Sequence, residues 1–561
     1  MDNTTLIDSL EEALIPFDLT GVAKVKPLWI DYDYLSIQTG KNWTEQKFLN
    51  DFSYVVKDSP LFEELTYVKG STSIGYGEMY GGGKNAGGSR AANINGYQVK
   101  GVGRNPLVGK GSDIWHSYGG YSLVDALYEL IMSEVLNNVL PHGTIKIVGL
   151  ILLGEKSSWT PSPGEWKRGR GALLVREKAL RPAHFYSLAN FKPLKENRRL
   201  FSRESKRIKN LYKSYHQKYG VESFEALLNM FIENSAEQFA CAKIFRVVHG
   251  VINASNSSLD GKWIDLTSAS FIDSQINYQE ATHMASFYEE HCTVLNFVKG
   301  LGKDYNKYNG ITVNIEHLID RYVDNYQRAL KTYTFQFLGF YHVNIEEAFD
   351  PDSSEIIFDK MLEIIFSSKL AGNERPEKLS LSDPLLLFVE SLFKCLLLKS
   401  DSETTETTAY KKMFSSYIES LGIEVDKSRD FLKLMMCRTL KKLYFSSHFY
   451  HEPLLQYIKS MVENENKSEN DNVNKTSSIV SAYSKVATWV FDNSPYEDQE
   501  CIFKNLDFEV IYDRLLDKFV LLRDHQVLID NVCESNLKDY DFKINEYDFS
   551  EGVRKIITLL G

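Results

Sequence analysis

The chain has 561 residues, 43% of them apolar and 13% aromatic, with a formal net charge of -11. That length supports a large core, as about three or four domain-sized units or as one enlarged catalytic domain with appended helices. An acidic chain lacks the broad positive field that a general nucleic-acid binder needs, so no nucleic-acid partner is expected.

Six cysteines (Cys241, Cys292, Cys395, Cys437, Cys501, Cys533) occur without a CxxC pair. This suits a reducing, cytoplasmic location and argues against a disulfide framework or a thiolate zinc site. Met1 to Phe17 carries acids and no basic start, so no secretion signal is expected. No apolar run reaches the length of a membrane span; Leu385–Leu398 is broken by Glu390, Ser391 and Lys394 and reads as a buried helix after Pro384.

Along the chain, residues 1–65 read as an N-terminal extension with a short amphipathic stretch. Lys69–Gly120 is dense in glycine, which allows close backbone approach to a ligand. Tyr97–Lys100 alternates as a strand does, and Tyr121–Leu140 has apolar residues at helical spacing. Ile145–Leu153 and Gly171–Val175 read as strands, Ser223–Val248 as a long helix, and Gly250–Ile272 as short strands between polar turns. From about Leu318 onward the pattern is wholly helical. Ser400–Thr408 and Glu463–Ser478 lack usefully spaced apolar residues and read as loops. The expected organisation is a glycine-rich nucleotide-binding region at 66–160, a catalytic region at 161–345 and a helical region at 346–561.

The glycine-dense segment could be a flexible linker, but it runs into an apolar strand with a lysine at its tip. Lys110 follows Gly109, yet the spacing of a P-loop fails, with Arg104 and Gly111 at the required glycine and Ser/Thr positions. The alternative is a kinase-type layout, in which glycine turns cover phosphates and a strand lysine pairs with a glutamate on the next helix. Lys100 and Glu134 have that order, although two surface charges could be so spaced. Further on, Asn256 and Asp265 have the order of two magnesium ligands, hard oxygens whose shell phosphates would complete. An Asx-rich hairpin is the plainer alternative.

The words YQVKGVG, IMSEVLNNV, GALLVREKALRPAHFYSLANF, HGVINASN and IDLTSASFID occur in the order seen in selenoprotein O-like proteins, over roughly residues 60–345. The stretch RYVDNYQRALKTYTFQFLGF also resembles a helix of that family. The family has a bilobal protein-kinase-like α+β fold and transfers AMP from ATP to protein hydroxyls with Mg²⁺. The resemblance implies that Lys100 binds phosphate with Glu134 as its helix partner, beside Gly101 and Gly103. Arg90, in GGSR, matches the arginine of a glycine-rich turn. Arg176 and Arg181 match arginines that grip phosphates, a role suited to a planar, permanently charged fork. Asn256 and Asp265 match the metal ligands, with Asp265 catalytic alongside Lys100 and Glu134. His249 matches a loop histidine and reads as a satisfied core residue.

The chain also departs from the family. Its loop Asn253-Ala254-Ser255-Asn256 has serine where the family's N-T-D-N places the presumed base. Tyr118-Gly119-Gly120-Tyr121 lacks a second turn's arginines, and Asp265-Leu266-Thr267-Ser268 replaces an aspartate-tyrosine-glycine-proline turn. Three functions fit. In the favoured one the acceptor is a carboxylate, already ionised at neutral pH, activated as an acyl-adenylate for ligation. The others are AMP transfer to Ser, Thr or Tyr hydroxyls and a nucleotide-binding scaffold without turnover. The chain's acidic, Asn/Lys/Tyr-rich character also resembles the large ligase subunit that matures siderophore-carrying microcins. That resemblance implies a peptide acceptor and an acyltransferase-like partner subunit.

Three further features stand out. The basic segment Lys195–Lys213 reads as a solvated helix face, or else as a docking surface for an anionic peptide or siderophore. His448 and His451 read as surface residues. Cys292, beside His291, is a weak candidate nucleophile.

Overall fold

An eight-stranded antiparallel sheet carries the glycine-dense region, with strand order β2-β7-β8-β6-β5-β4-β1-β3. Its strands are β1 (Leu14–Ala23), β2 (Lys26–Ile30), β3 (Tyr54–Val55), β4 (Thr66–Glu78), β5 (Ala91–Ile94), β6 (Tyr97–Lys100), β7 (Ile147–Ser162) and β8 (Glu165–Arg176). The computed structural model describes the whole chain except residues 1–6, 9, 58, 60, 61, 63, 163, 164, 343, 368–371, 399–403 and 464–468.

The apolar run in β8 is continuous because both faces of the sheet are covered. Leu173 and Val175 join a core with Phe48 and Phe52 from the helix Glu45–Phe52. Ala172 and Leu174, on the opposite face, pack into the main core with the helix Leu123–Val139. That central helix begins at Ser122, whose hydroxyl accepts a hydrogen bond from the Asp125 amide at 3.1 Å. It lies under β7 and β8 and is clamped from below by the helices His451–Glu463 and Glu469–Val490. Thirteen of its seventeen residues are buried, including Glu129 and Ser133, which explains its nearly all-round apolar character.

Residues 1–65 are no appended extension. β1 pairs with β4 from Leu14 opposite Glu78 to Ala23 opposite Thr66, and β2 pairs with β7. The C-terminal region is not wholly helical either. It holds a four-stranded antiparallel sheet and the closing helix Ser550–Leu560, which packs on the helix Ser428–Phe445. Between the two sheets lie the two-residue strands β9 (Val247–Val248) and β10 (Ser270–Phe271); the C-terminal sheet is β11 (Gln499–Lys504), β12 (Glu509–Asp513), β13 (Lys518–Arg523) and β14 (Gln526–Ile529).

Of the short strands expected over Gly250–Ile272, only β10 forms, paired with β9. Side chains take the backbone bonds a ladder would need: Ser258 Oγ accepts from the Lys262 amide at 3.0 Å and Asn253 Oδ1 from the Ser255 amide at 2.8 Å. The expected long helix spans Glu204–Ile244, bent at Gly220, where φ is +77°. Of the expected loop Ser400–Thr408, residues 400–403 lie outside the described residues and Thr405 onward is helical. Of Glu463–Ser478, residues 464–468 lie outside them and Glu469 onward is helical. Among the described residues, no helix is long and apolar enough to cross a membrane.

His448 is not a surface residue. It is 1% exposed, stacked on Tyr483 at 4.3 Å and enclosed by Phe449, Tyr547 and Phe549. Neither ring nitrogen has a hydrogen-bond partner among the described residues, and burial lowers its pKa from 6.5 to about 3. Between those values the unfolded chain binds a proton that the folded chain refuses, so stability falls as pH drops below about 6.5. His448→Phe removes this loss. The variant is expected to gain about 2 kcal/mol over the native chain near pH 5, with little difference at neutral pH. Denaturant melts of both proteins across that pH range measure it.

Candidate nucleotide site

β6 and β8 pair with Gln98 opposite Arg176 and Lys100 opposite Leu174. Side chains two residues apart share a face, so Gln98, Lys100 and Arg176 point together toward the central helix. The chain turns sharply after Lys100. Gly101 has φ +102°, and a Cβ there would sit 2.3 Å from the Ala172 carbonyl. The amides of Gly101 and Val102 both donate to the Arg90 carbonyl, at 2.7 and 3.1 Å.

Four charges close a ring beneath this turn. Lys100 Nζ lies 2.9 Å from Glu129 and 2.8 Å from Asp265. Arg176 reaches the same two carboxylates, each at 2.8 Å. Glu129 is buried, and its Oε2, which faces Lys100, also accepts a hydrogen bond from the Tyr121 hydroxyl, while Arg176 takes Oε1. Burial pushes the Asp265 carboxyl up, but Lys100, Arg176 and Arg181 outweigh that and hold it well below the usual carboxylate range. Its side chain is the exposed corner of the ring, at 28% against 2–6% for the other three. Asp265 also adopts a left-handed backbone, φ +62°, unusual for a non-glycine residue.

Arg181 is buried and ties the ring to the loop that follows. It donates to Gln98 Oε1 at 3.1 Å and to the Ser255 carbonyl at 2.7 Å, and its Nε lies 3.8 Å from Glu78. Glu78 in turn meets His184 at 3.3 Å. Burial would raise the Glu78 carboxyl, but His184 and Arg181 bring it down to about 2. Arg90 is the most peripheral cation, over the Tyr121 ring at 5.0 Å and donating to the Gly120 carbonyl at 3.4 Å.

Asn256 and Asp265 are brought side by side, because the Ile264 amide donates to the Asn256 carbonyl at 3.0 Å. Asn256 Nδ2 is spent on the Val251 carbonyl at 2.9 Å, which leaves its Oδ1, 3.3 Å from the Ser255 hydroxyl, as the acceptor end. One amide oxygen and one carboxylate make a donor set of hard oxygens. It is too small to bind a metal alone and fits Mg²⁺, which takes one or two protein oxygens and completes its shell with phosphates and water. Accordingly, the described residues contain no cluster of three or more His, Cys, Asp or Glu side chains suited to a metal.

His249 is fully buried, bonded to the Ile264 carbonyl at 3.0 Å and packed edge-on against Trp263, with its pKa lowered to about 4 by burial. Ser255 is locked in an Asx turn, its hydroxyl donating to Asn253 Oδ1 at 2.7 Å. Cys292 starts a helix with its thiol 3.4 Å from the His291 ring, but burial pushes that thiol up and leaves it unactivated. His451 faces inward too, on the Tyr128 ring and the Thr267 carbonyl.

The structure brings together Lys100, Arg176, Arg181 and Asp265, with Arg90, Gly101, Gly103 and Asn256 around them. It does not bring Glu134. That residue pairs with Lys146 at 2.7 Å, which also holds Asp31 at 2.9 Å. Glu134 lies five residues past Glu129, about 140° around the helix, and so faces away from Lys100. Glu129 and Gln98 were missed. The available signals were the strand period that sets Gln98 beside Lys100 and the i, i+4 relation of Asp125 and Glu129 on the helix face that follows Tyr121.

The basic segment divides in two. Residues 195–203 are a short turn and loop, and from Glu204 the chain is helical, with Ile208, Leu211 and Tyr212 buried while Lys206, Lys209 and Lys213 are exposed. Arg207 alone turns inward, to Glu204 and the Tyr186 carbonyl.

Removing one member of a buried charge ring leaves the others uncompensated, at a cost of about 3 kcal/mol. Glu129→Gln is therefore expected to lower thermal stability by several degrees and ATP consumption at least about tenfold. Glu134→Gln breaks a half-buried pair and is expected to change ATP consumption less than about twofold. ATP-consumption assays beside thermal melts distinguish the two positions.

Comparison with curated proteins gives no match. The family model described as protein adenylyltransferase SelO matches residues 70–480, nearly three quarters of the chain, including every residue of the charge ring and its loop. The chain belongs to the SelO family of protein adenylyltransferases and is an ATP-dependent, AMP-transferring enzyme.

Proposed function

We propose that this enzyme transfers AMP to a carboxylate, forming an acyl-adenylate that is then ligated, and that its sheet and central helix act as the nucleotide lobe of a kinase-like fold. The observation that carries the acceptor assignment is that, among the described residues, no carboxylate or imidazole is hydrogen-bonded to Ser255; Glu290, raised to about 7 by burial, is sealed against the His249 and Gly250 amides on another part of the loop. Ser255 occupies the base position with its hydroxyl donated to Asn253. His249 is sealed and kept neutral, and His184 is buried against Glu78. Asp265 is held ionised so strongly by Lys100, Arg176 and Arg181 that it is a poor base. A hydroxyl acceptor would lose a base contribution of about 10²–10⁴-fold. A carboxylate needs none.

In the reaction, a carboxylate oxygen attacks the α-phosphorus of ATP, the bond from that phosphorus to the bridging β-oxygen breaks, and pyrophosphate leaves with its electron pair. Lys100, Arg176 and Arg181 supply the positive charge that the phosphates meet. Gly101 and Gly103 let the backbone approach them. Asn256 and Asp265 would hold Mg²⁺, which neutralises charge developing on the phosphates. The ligation of a peptide carboxylate in siderophore-microcin maturation, with an acyltransferase-like partner subunit, is the specific form of this chemistry that the sequence character supports. The family's printed description favours a second reading, AMP transfer onto protein hydroxyls.

Hydroxylamine separates the two, because it traps an acyl-adenylate as a hydroxamate and leaves a hydroxyl adduct intact. With ATP, Mg²⁺ and a panel of peptide and small-molecule carboxylates, the native chain is expected to release pyrophosphate and yield hydroxamate, and Asp265→Ala neither. Restoring a base with Ser255→Asp is expected to raise AMP incorporation into protein hydroxyls by about 10²-fold and leave hydroxamate yield unchanged. Stable AMP–protein adducts in the native chain, without hydroxamate, would establish the hydroxyl reading instead.

A further inference from the structure

Beside the nucleotide site, an acidic protein concentrates positive charge. Lys110, Lys192, Lys195, Arg198, Arg199 and Arg203 are all exposed, and none has an ion pair among the described residues. Of the nearby carboxylates, Glu196 lies exposed within the ridge against its six cations, and Glu204 is taken by Arg207. The exposed lysines of the following helix extend the same surface. Unpaired like charges at this density repel one another, so the ridge costs the isolated chain stability and is relieved by an anionic partner.

Its placement says what that partner meets next. A series of backbone hydrogen bonds, joined by short steps along the chain, links the ridge to the loop at Ser255. The Lys110 amide donates to the Lys192 carbonyl at 2.7 Å, and Gly109 bridges to Pro193. The Ala86 amide donates to Leu107, the Tyr80 amide to Ala86 and the Gly81 amide to Ala183. The Ala183 amide then donates to the Ala254 carbonyl at 3.0 Å, one residue from Ser255. The ridge and the loop at Ser255 are therefore tied to one another by the backbone through the buried residues Leu107, Ala86 and Ala183, with the glycine turns between them.

We propose that this ridge is the docking surface for the polypeptide acceptor and that it selects an acidic segment, which it holds while the reacting carboxylate enters beside Ser255. This rests on the reading of the acceptor as a peptide. An acidic polypeptide fits better than a nucleic acid, because the chain's overall charge of -11 opposes a long polyanion beyond the ridge while a short segment stays within it.

The test uses the full chain without ATP, so it is independent of whether AMP moves. A fluorescein-labelled glutamate-rich peptide, its glutamine-substituted counterpart and a single-stranded oligonucleotide are titrated by anisotropy at low and high ionic strength. The glutamate-rich peptide is expected to bind, to lose affinity with salt, and to bind about tenfold more weakly to the triple variant Arg198→Ser, Arg199→Ser, Arg203→Ser. The glutamine peptide is expected not to bind. Equal binding by the variant would overturn the proposal, as would tighter binding of the oligonucleotide. So would a native dimer that the variant abolishes and the peptide does not dissociate, which would make the ridge a self-association face. Ridge-dependent peptide binding by a chain that yields neither hydroxamate nor adduct would sink the catalytic reading and leave the docking surface standing.

Discussion

Lys100 and Arg176 each touch the same two carboxylates, and those carboxylates come from different parts of the fold. Glu129 stands on the central helix and Asp265 on the loop beneath it, while both cations project from adjacent strands. Removing four charges from water is costly, and the cost is met only when all four are present in good geometry. The ring thus fixes two strands, a helix and a loop in one arrangement and leaves a single partly exposed corner, Asp265. That corner faces the loop where Asn256 lies, so one carboxylate oxygen and one amide oxygen are presented together beside a cationic wall. Such a wall suits a phosphate chain with a divalent cation, and it is far more demanding of geometry than the surface pairs elsewhere in the molecule.

Much of this was legible in the residues. The alternation in YQVK, the glycines after it and the apolar run with Arg176 at its end give two strands and the face they share. The order of motifs identifies the family that the wider comparison establishes. The partner of Lys100 was not legible, because order and approximate separation cannot tell Glu129 from Glu134; only the helical phase set by Ser122 and the packing beneath the sheet can. Residues 1–65 read as an extension because β1 and β2 pair with β4 and β7, 43 to 126 residues away, pairings that no local pattern encodes. The C-terminal sheet was hidden for a related reason. Its strands are short and apolar, and such runs cannot be told from buried helix by periodicity.

Histidine chemistry shows the same limit. His249, His448 and His451 are all polar by composition, yet each is enclosed by aromatic rings or backbone carbonyls and kept neutral by burial. Their spacing in sequence suggested nothing of this. That a serine stands at 255, where the resemblance places the family's base, was by contrast plain from one letter, and among the described residues no imidazole is hydrogen-bonded to it.

The clamped central helix has a consequence in time. Glu129 is carried by an element that the helices His451–Glu463 and Glu469–Val490 hold from the far side, and the second of these also reaches β2. Domains emerge from the ribosome N-terminus first, at a pace of several residues per second. Strands, glycine turns and catalytic loop are all outside the tunnel well before their clamp exists. The nascent chain therefore passes through a stage in which every residue of the charge ring has been made and the helices that hold Glu129 in place have not.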